Sequence, residues 1–199
     1  MGAGARVHRR VRTWPWRGCG LERTDPADYS TVFGVDPAAL APPMSRITSS
    51  IRIRREPAAV FDFFTAPANA PRWHPASVSV AGAVDHQAKL GETFSEDLVG
   101  ADGVRGRAKW QVVANEAPYL WRIELRSASI PMEAAVALRF RPEQGATAVE
   151  RDVRYRYRSR WFRLLDALLL RRRNQRDGDQ GLRQAKRLLE AGLTTAGGA

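Results

Sequence analysis

Cysteine is almost absent from this 199-residue chain, because Cys19 is the only one. A single cysteine excludes an intrachain disulfide and any metal cluster built from several thiolates. Histidine is nearly as scarce, and the three residues are His8, His74 and His86. None of them has the spacing to other ligating or nucleophilic residues that a metal site or a catalytic triad needs. We therefore expect no metal and no cofactor.

Long apolar runs are also missing. The longest apolar block is "ALLL" at 167–170, and charged residues bracket it. A membrane-spanning helix needs about 20 apolar residues, and a secretory signal needs an apolar core that "MGAGARVHRRVRTWPWRGCG" lacks. The expected location is the reducing cytoplasm.

Lysine is rare, so the net charge of +11 is carried almost wholly by arginine. The charge is uneven, since residues 151–187 hold thirteen Arg or Lys against four acids. Nucleic acid, an acidic membrane surface and a genome that encodes arginine in place of lysine each explain such a pattern. The first two explanations imply a partner of the protein, and the third requires none.

The chain divides into three parts by composition. Residues 1–43 are rich in Gly, Pro and Ala without a sustained period, and we interpret them as a poorly ordered leader. An alternative is that Met44 is the true start, because "MSRITSSIRIRR" begins an alternating strand at once. Residues 44–192 are expected to form one domain, and 193–199 a disordered tail.

From Ile47 the apolar period is two, which is typical of a half-buried strand. "PAAVFDFF" and "PANAPRW" then predict two short helices, because proline suits a first helical turn. Further alternating segments follow, in "ETFSEDLV", "VRGRAKWQVVANE", "YLWRIELRS", "MEAAVALRF" and "TAVERDVRYRYR". One-sided strands joined by short turns favour an antiparallel sheet with one solvated face.

The period changes to 3.6 from Trp161, which predicts a long final helix. Its inward stripe is predicted to hold four leucines in phase together with Arg171, Gln175 and Gly178. The four are Leu164, Leu168, Leu182 and Leu189. Gly178 and Gly181 each weaken a helix by roughly 1 kcal/mol, so a break near 177–181 is the alternative.

This order of elements resembles the START-like (SRPBCC) superfamily, in its polyketide cyclase/dehydrase and lipid-transport branch. The resemblance covers roughly 46–190 and rests on "PAAVFDFFTAPANAPRWHP", "LGETF" and "KWQVVANEAPYLWRIEL". It implies an α+β helix-grip fold, in which a curved antiparallel sheet of about seven strands wraps around a long C-terminal helix. Two short helices follow the first strand in that fold.

The resemblance also implies a ligand cavity between the sheet and the last helix. Small inward residues opposite large ones agree with this, because they leave either a close contact or a void. The residues expected to line the cavity are Phe94, Glu96, Trp110, Trp121, Ala134, Arg151, Tyr155, Leu168, Arg171 and Gln175.

Glu96 and Arg151 are charged residues on inward strand faces, so each needs a partner or water. One interpretation is a structural bridge or a position near the rim. The other is that both line a wet cavity and orient a polar group of a ligand. His74 precedes Pro75, which favours an extended backbone, so we interpret it as a turn residue beside the cavity mouth.

Three functions follow from these features. The first is binding or transport of a hydrophobic small molecule, such as a lipid, a polyketide-like or an isoprenoid compound. The second is an aromatase/cyclase-type enzyme in which Glu96 or His74 is the acid or base. The third is nucleic-acid binding through the basic patch 151–187. We favour the carrier, with weak contact between its basic outer face and an anionic membrane. Oligomeric state has no signal in the sequence.

Overall fold

The alternating segment after Met44 forms the first strand, β1, in the computed structural model, which describes residues 44–82, 84–100 and 103–194. Two short helices joined by a 3-10 turn follow it, as expected. Their bounds are β1 (Ser45–Ile53), α1 (Pro57–Thr65), the turn Pro67–Asn69 and α2 (Ala70–Trp73). The predicted leader 1–43 and the last five residues of the predicted tail lie outside the described residues.

The remaining strands complete one sheet of seven, with every neighbouring pair antiparallel. They are β2 (Ser77–Gly82), β3 (Thr93–Val99), β4 (Arg105–Glu116), β5 (Leu120–Ala128), β6 (Met132–Glu143) and β7 (Ala146–Tyr157). The strand order is β1-β7-β6-β5-β4-β3-β2. The first two strands therefore form the two edges, and the short helices connect one edge to the other. The sheet curves around the C-terminal helix, so the predicted helix-grip fold is confirmed.

The core lies between the inner face of the sheet and the helices. Phe61 and Phe64 of α1 pack on Phe140 of β6, with the rings of Phe61 and Phe140 5.3 Å apart. The ring of Trp73, at the end of α2, meets Phe64 edge-on at 5.0 Å. These aromatic contacts join the short helices to the sheet and fix where the chain leaves α2.

The C-terminal helix begins at Arg160, but its first part is interrupted. It consists of α3 (Arg160–Leu165), a π-helical turn (Asp166–Leu170) and α4 (Arg171–Thr194). The predicted tail therefore begins inside α4. No helix among the described residues is both long enough and apolar enough to cross a membrane.

The π-helical turn changes which residues of this helix face the sheet. Such a turn holds about one residue more than an α-helical turn, so every position before it is rotated. Leu164 and Leu168, predicted to face inward, are 53% and 62% exposed, whereas Asp166 and Leu170 are buried. That part of the predicted stripe is wrong. Leu182 lies after the turn and is buried as expected.

The predicted alternative of a break near 177–181 is also wrong, because α4 continues through both glycines. The glycines instead allow close contacts. A Cβ at Gly178 would lie 3.0 Å from Ser49 Oγ and 3.1 Å from Arg151 Nη1. A Cβ at Gly181 would lie 3.2 Å and 3.3 Å from two ring carbons of Trp73 and 3.3 Å from its carbonyl oxygen.

Gly181→Ala should therefore destabilise the protein, although alanine favours a helix by about 1 kcal/mol. The Trp73 ring and backbone are buried and cannot yield easily, so overpacking should outweigh propensity and leave a net loss of about 1–2 kcal/mol. Urea denaturation measures it. Gln180→Ala, on the exposed side of the same helix, is the control and should change stability by less than about 0.5 kcal/mol. A stabilised Gly181→Ala protein would contradict the close contact.

Candidate functional site

A cavity of about 260 Å³ lies between the inner face of the sheet, the short helices and α4. Strands β3 to β7 provide most of its wall, and this wall is mainly apolar. Its apolar residues include Phe64, Phe94, Trp110, Trp121, Ile123, Val136, Leu138 and Val153. A concave apolar wall with few polar groups is typical of a site for a small hydrophobic ligand.

Seven of the ten residues expected at the cavity line it in the structure. They are Phe94, Glu96, Trp110, Trp121, Ala134, Arg151 and Tyr155. All seven lie on strands, where the period of two determines which side chains point inward.

The three expected residues of the C-terminal helix do not line the cavity. Leu168 points to solvent because of the π-helical turn. Arg171 is exposed, and its Nη2 donates to the carbonyl oxygen of Arg46 at 3.3 Å. Gln175 Nε2 donates to the carbonyl oxygen of Thr48 at 3.0 Å. The last two side chains therefore fasten the helix to β1, and these three predictions are wrong.

The most polar part of the cavity wall is formed by Arg151 and His74, on β7 and just after α2. Arg151 Nη2 lies 3.3 Å from His74 Nε2. A guanidinium can only donate, so Nε2 accepts and the imidazole proton is on Nδ1. Burial, together with the nearby charge of Arg151, lowers the pKa of His74 to about 3. The ring is therefore neutral at pH 7, and Nδ1 is buried with no partner among the described residues.

Arg151 remains a cation although it is partly buried. Burial lowers its pKa to about 10, which still leaves it protonated at pH 7. Glu96 and Asp179 attract the guanidinium from a distance, and within the described ranges no carboxylate forms an ion pair with it inside 4.0 Å. Gly178 leaves room for this side chain beside the helix, as the 3.1 Å contact above indicates. The cavity wall therefore carries a positive charge to which no carboxylate of the described residues is directly bonded.

Glu96 lines the same cavity from β3. Burial raises the pKa of its carboxyl group, while Trp110 and Arg151 act in the opposite direction. Trp110 Nε1 donates to Glu96 Oε2 at 2.9 Å. Glu96 and Arg151 both line the cavity, and no ion pair within 4.0 Å joins them.

A second buried polar pair joins β7 to the π-helical turn. The Tyr155 hydroxyl donates to Asp166 Oδ1 at 2.6 Å, and the Ser45 hydroxyl donates to Oδ2 at 2.8 Å. Burial and the hydrogen bond to Asp166 raise the pKa of Tyr155. Asp166 is buried only because the extra residue of the π-helical turn rotates it inward, so the turn and these bonds support each other.

Several lining residues were missed in the sequence. Trp73 is one of them, and it lines the cavity because α2 ends over it. His74, which we interpreted as a turn residue beside the cavity mouth, lines the cavity as well. Asn174 also lines it, from the first turn of α4, one position before Gln175 of the predicted stripe. In the described part of the chain, no group of three His, Cys, Asp or Glu side chains could hold a metal ion.

Comparison with known proteins agrees with this architecture. The model of a family described as "Polyketide cyclase / dehydrase and lipid transport" matches residues 44–190. No curated protein sequence matches that of this chain.

Solved structures with the same fold come from distant organisms. Protein TTHA0849 from Thermus thermophilus aligns with a TM-score of 0.63 and 15% identity over 74% of this chain and 99% of its own. Ginseng major latex-like protein 151 from Panax ginseng aligns with a TM-score of 0.58 and 11% identity over 74% and 99%. Protein CV1439 from Chromobacterium violaceum gives 0.56 and 16% over 73% and 96%. At such identities the likeness extends to the fold alone.

Proposed function

The chain belongs to the polyketide cyclase/dehydrase and lipid transport family of the START-like superfamily, and from this premise we propose that it binds and transports a hydrophobic small molecule. Lipids, polyketide-like and isoprenoid compounds are the classes that fit. The observation that carries the proposal is the cavity, whose wall is mainly apolar and includes one partly buried cation, Arg151. The apolar wall would hold the body of the ligand.

The polar end of the cavity would orient the ligand. In the described part of the chain, Arg151 has a neutral imidazole as its hydrogen-bond partner and no contacting carboxylate, so a carbonyl, hydroxyl or carboxylate oxygen of the ligand would complete its bonding. A buried charge gains most from such a partner, because it has already lost its water. The ligand is therefore expected to be amphipathic, with an oxygen acceptor at one end.

Native mass spectrometry of the full chain tests the proposal. We expect a co-purifying small molecule, which organic extraction should release and which should be retained again when the extract is added back. A protein that carries no molecule and binds none from a lipid extract of its expression host would contradict the carrier function.

Arg151→Met should weaken ligand binding by at least about tenfold, because a hydrogen bond to a charged group contributes about 1.5–3 kcal/mol. The fold should persist, since methionine replaces a buried charge with a similar apolar volume. Titration with a fluorescent fatty acid measures the affinity. Arg154→Met is the matched control, because Arg154 is exposed and lies on the other face of β7. Equal affinities for the two variants would rule out a role for Arg151 in binding.

A second candidate is a cyclase-type enzyme, and the environment of Glu96 favours it. Burial raises the pKa of this carboxyl group, which favours the protonated form that a general acid needs. In a cavity that confines a poly-ketone chain, such an acid could assist ring closure and loss of water. Glu96→Gln should then abolish turnover of a poly-ketone substrate while leaving its binding intact. Unchanged turnover in the variant would exclude this role.

The carrier proposal includes weak contact with an anionic membrane surface, where the ligand would be exchanged. The arginines of β7 and of the C-terminal helix support it. Near an anionic bilayer each basic side chain contributes about 1 kcal/mol, and the effect fades over a Debye length of about 8 Å at physiological salt.

A further inference from the structure

Four large apolar side chains are exposed together at the start of the C-terminal helix. They form what we call the apolar strip: Trp161, Leu164, Leu168 and Leu169. Their exposed fractions are 69%, 53%, 62% and 63%. Single exposed leucines are ordinary, but four large apolar residues within nine positions of one helix form a patch. The π-helical turn is the cause, because it rotates Leu164 and Leu168 away from the sheet and brings Asp166 inward.

Basic residues surround the apolar strip. Seven arginines lie between positions 158 and 176, at 158, 160, 163, 171, 172, 173 and 176. The only acidic residue in that range is Asp166, which is buried and accepts hydrogen bonds from Tyr155 and Ser45. Glu133 of β6 lies 3.9 Å from Arg158, and Asp177 directly follows the range, so the arginines outnumber the nearby acids. The surface around the strip therefore combines exposed apolar groups with a strong positive charge.

The strip also adjoins the cavity. Phe162, in the same helix, stacks on Tyr157 with the ring centroids 5.6 Å apart, and Tyr157 lines the cavity. Asn174, in the first turn of α4, lines it as well. A surface that binds α3 would therefore lie close to a ligand in the cavity.

We propose that α3 and the π-helical turn dock on an anionic lipid bilayer. The apolar strip enters the boundary between headgroups and acyl chains, and the arginines contact lipid phosphates, as in other basic amphipathic helices. A second copy of the chain is the weaker occupant, because a symmetric contact would bring the two arginine clusters together. Duplex nucleic acid would satisfy the arginines and leave the leucines and the tryptophan without apolar partners. The purpose of docking rests on the proposed carrier function, but docking itself does not.

Vesicle co-sedimentation of the full chain tests this proposal. The probes are vesicles of phosphatidylcholine alone and of phosphatidylcholine with one third phosphatidylglycerol. We expect binding to the anionic vesicles at low salt, weaker binding at physiological salt, and little binding to the neutral vesicles. The double variant Leu168→Gln/Leu169→Gln should lower the partition coefficient at least tenfold, and Trp161→Ser should lower it as well.

Leu90→Gln is the matched control. Leu90 is 67% exposed and precedes β3, next to Gly91, whose N–H donates to the carbonyl oxygen of Val112. The apolar strip follows β7, at the opposite end of the sheet. The partition coefficient of Leu90→Gln should equal that of the wild type. Circular dichroism should give the same melting curve for every variant, since all the changed side chains are exposed.

Any one of the following results would overturn the proposal. Both strip variants could bind like the wild type. The wild type could bind both vesicle types equally or neither. Duplex DNA could displace the protein from anionic vesicles, which would indicate nucleic acid as the occupant. The strip variants could abolish a dimer, which would indicate a second copy of the chain. Native mass spectrometry of the same samples distinguishes failure of the docking proposal from failure of the carrier proposal. A protein that retains a ligand but does not bind vesicles would contradict docking alone. A protein that binds vesicles but carries no ligand would contradict the carrier function alone.

Discussion

Replacing Trp73 with alanine is expected to lower the free energy of unfolding by about 3–5 kcal/mol, the range for a large aromatic residue removed from a core. The side chain is 8% exposed and joins three elements. Its ring packs edge-on against Phe64 of α1 at 5.0 Å and supports α4 at Gly181. Alanine would leave a hole that none of these elements can fill, because α4 is already anchored to β1 by Gln175.

Urea denaturation followed by far-ultraviolet circular dichroism measures this loss. Trp161→Ala is the control, because it removes the same ring from a site that is 69% exposed and should change stability by less than about 0.5 kcal/mol. A loss below about 1 kcal/mol for Trp73→Ala would mean that the contact between α2 and α4 is not part of the stable core.

The strands and the cavity wall could be predicted because a sheet repeats a simple rule. "ETFSEDLV" puts Phe94 and Glu96 on one face of β3, and the period of two puts Arg151 and Tyr155 on the inner face of β7. The distance between Glu96 and Arg151 could not be predicted. Their strands are separated in the sheet by β4, β5 and β6, so this distance depends on the curvature of the whole sheet.

The prediction of which residues face the sheet in the first part of the C-terminal helix was wrong for a different reason. The leucines at 164 and 168 continue the stripe of Leu182 without a break, so periodicity alone favours one regular helix. The π-helical turn is stabilised by contacts that are remote in sequence, since Asp166 accepts from Ser45, 121 positions earlier. Local patterns carry no information on such a contact. The error hid the exposure of the apolar strip.

His74 should make the stability of the protein fall as the pH is lowered from about 6.5 towards 3. In the unfolded chain this histidine has its ordinary pKa near 6.5 and binds a proton below that pH, whereas burial holds its pKa at about 3 in the folded state. Between these values the unfolded state binds more protons, so stability rises with pH by about 1.4 kcal/mol per pH unit. From pH 6 to pH 4 the wild type should lose about 2–3 kcal/mol through this residue alone.

His74→Gln removes the titration and keeps an acceptor for Arg151, so its loss between pH 6 and pH 4 should be smaller by that amount. Arg151 and Glu96 are the charged groups at the cavity wall beside His74, and they are present in both proteins. The raised pKa of Glu96 acts in the opposite direction, because its protonated form is favoured in the folded state and that stability is lost as the pH rises. The comparison of the two proteins by urea denaturation at pH 4, 5, 6 and 7 therefore isolates His74.

Proton NMR of the imidazole resonances gives an independent measurement of the same state. The His74 ring should not titrate between pH 4.5 and 8. His86 is the internal control, since hydrogen bonds to Asp85 and Glu92 raise the pKa of its ring above the ordinary value, and its resonance should shift with pH. Parallel stability curves for the wild type and His74→Gln, or a His74 resonance that shifts near pH 6, would mean that water reaches the ring and that this part of the cavity is wet enough to solvate a charge.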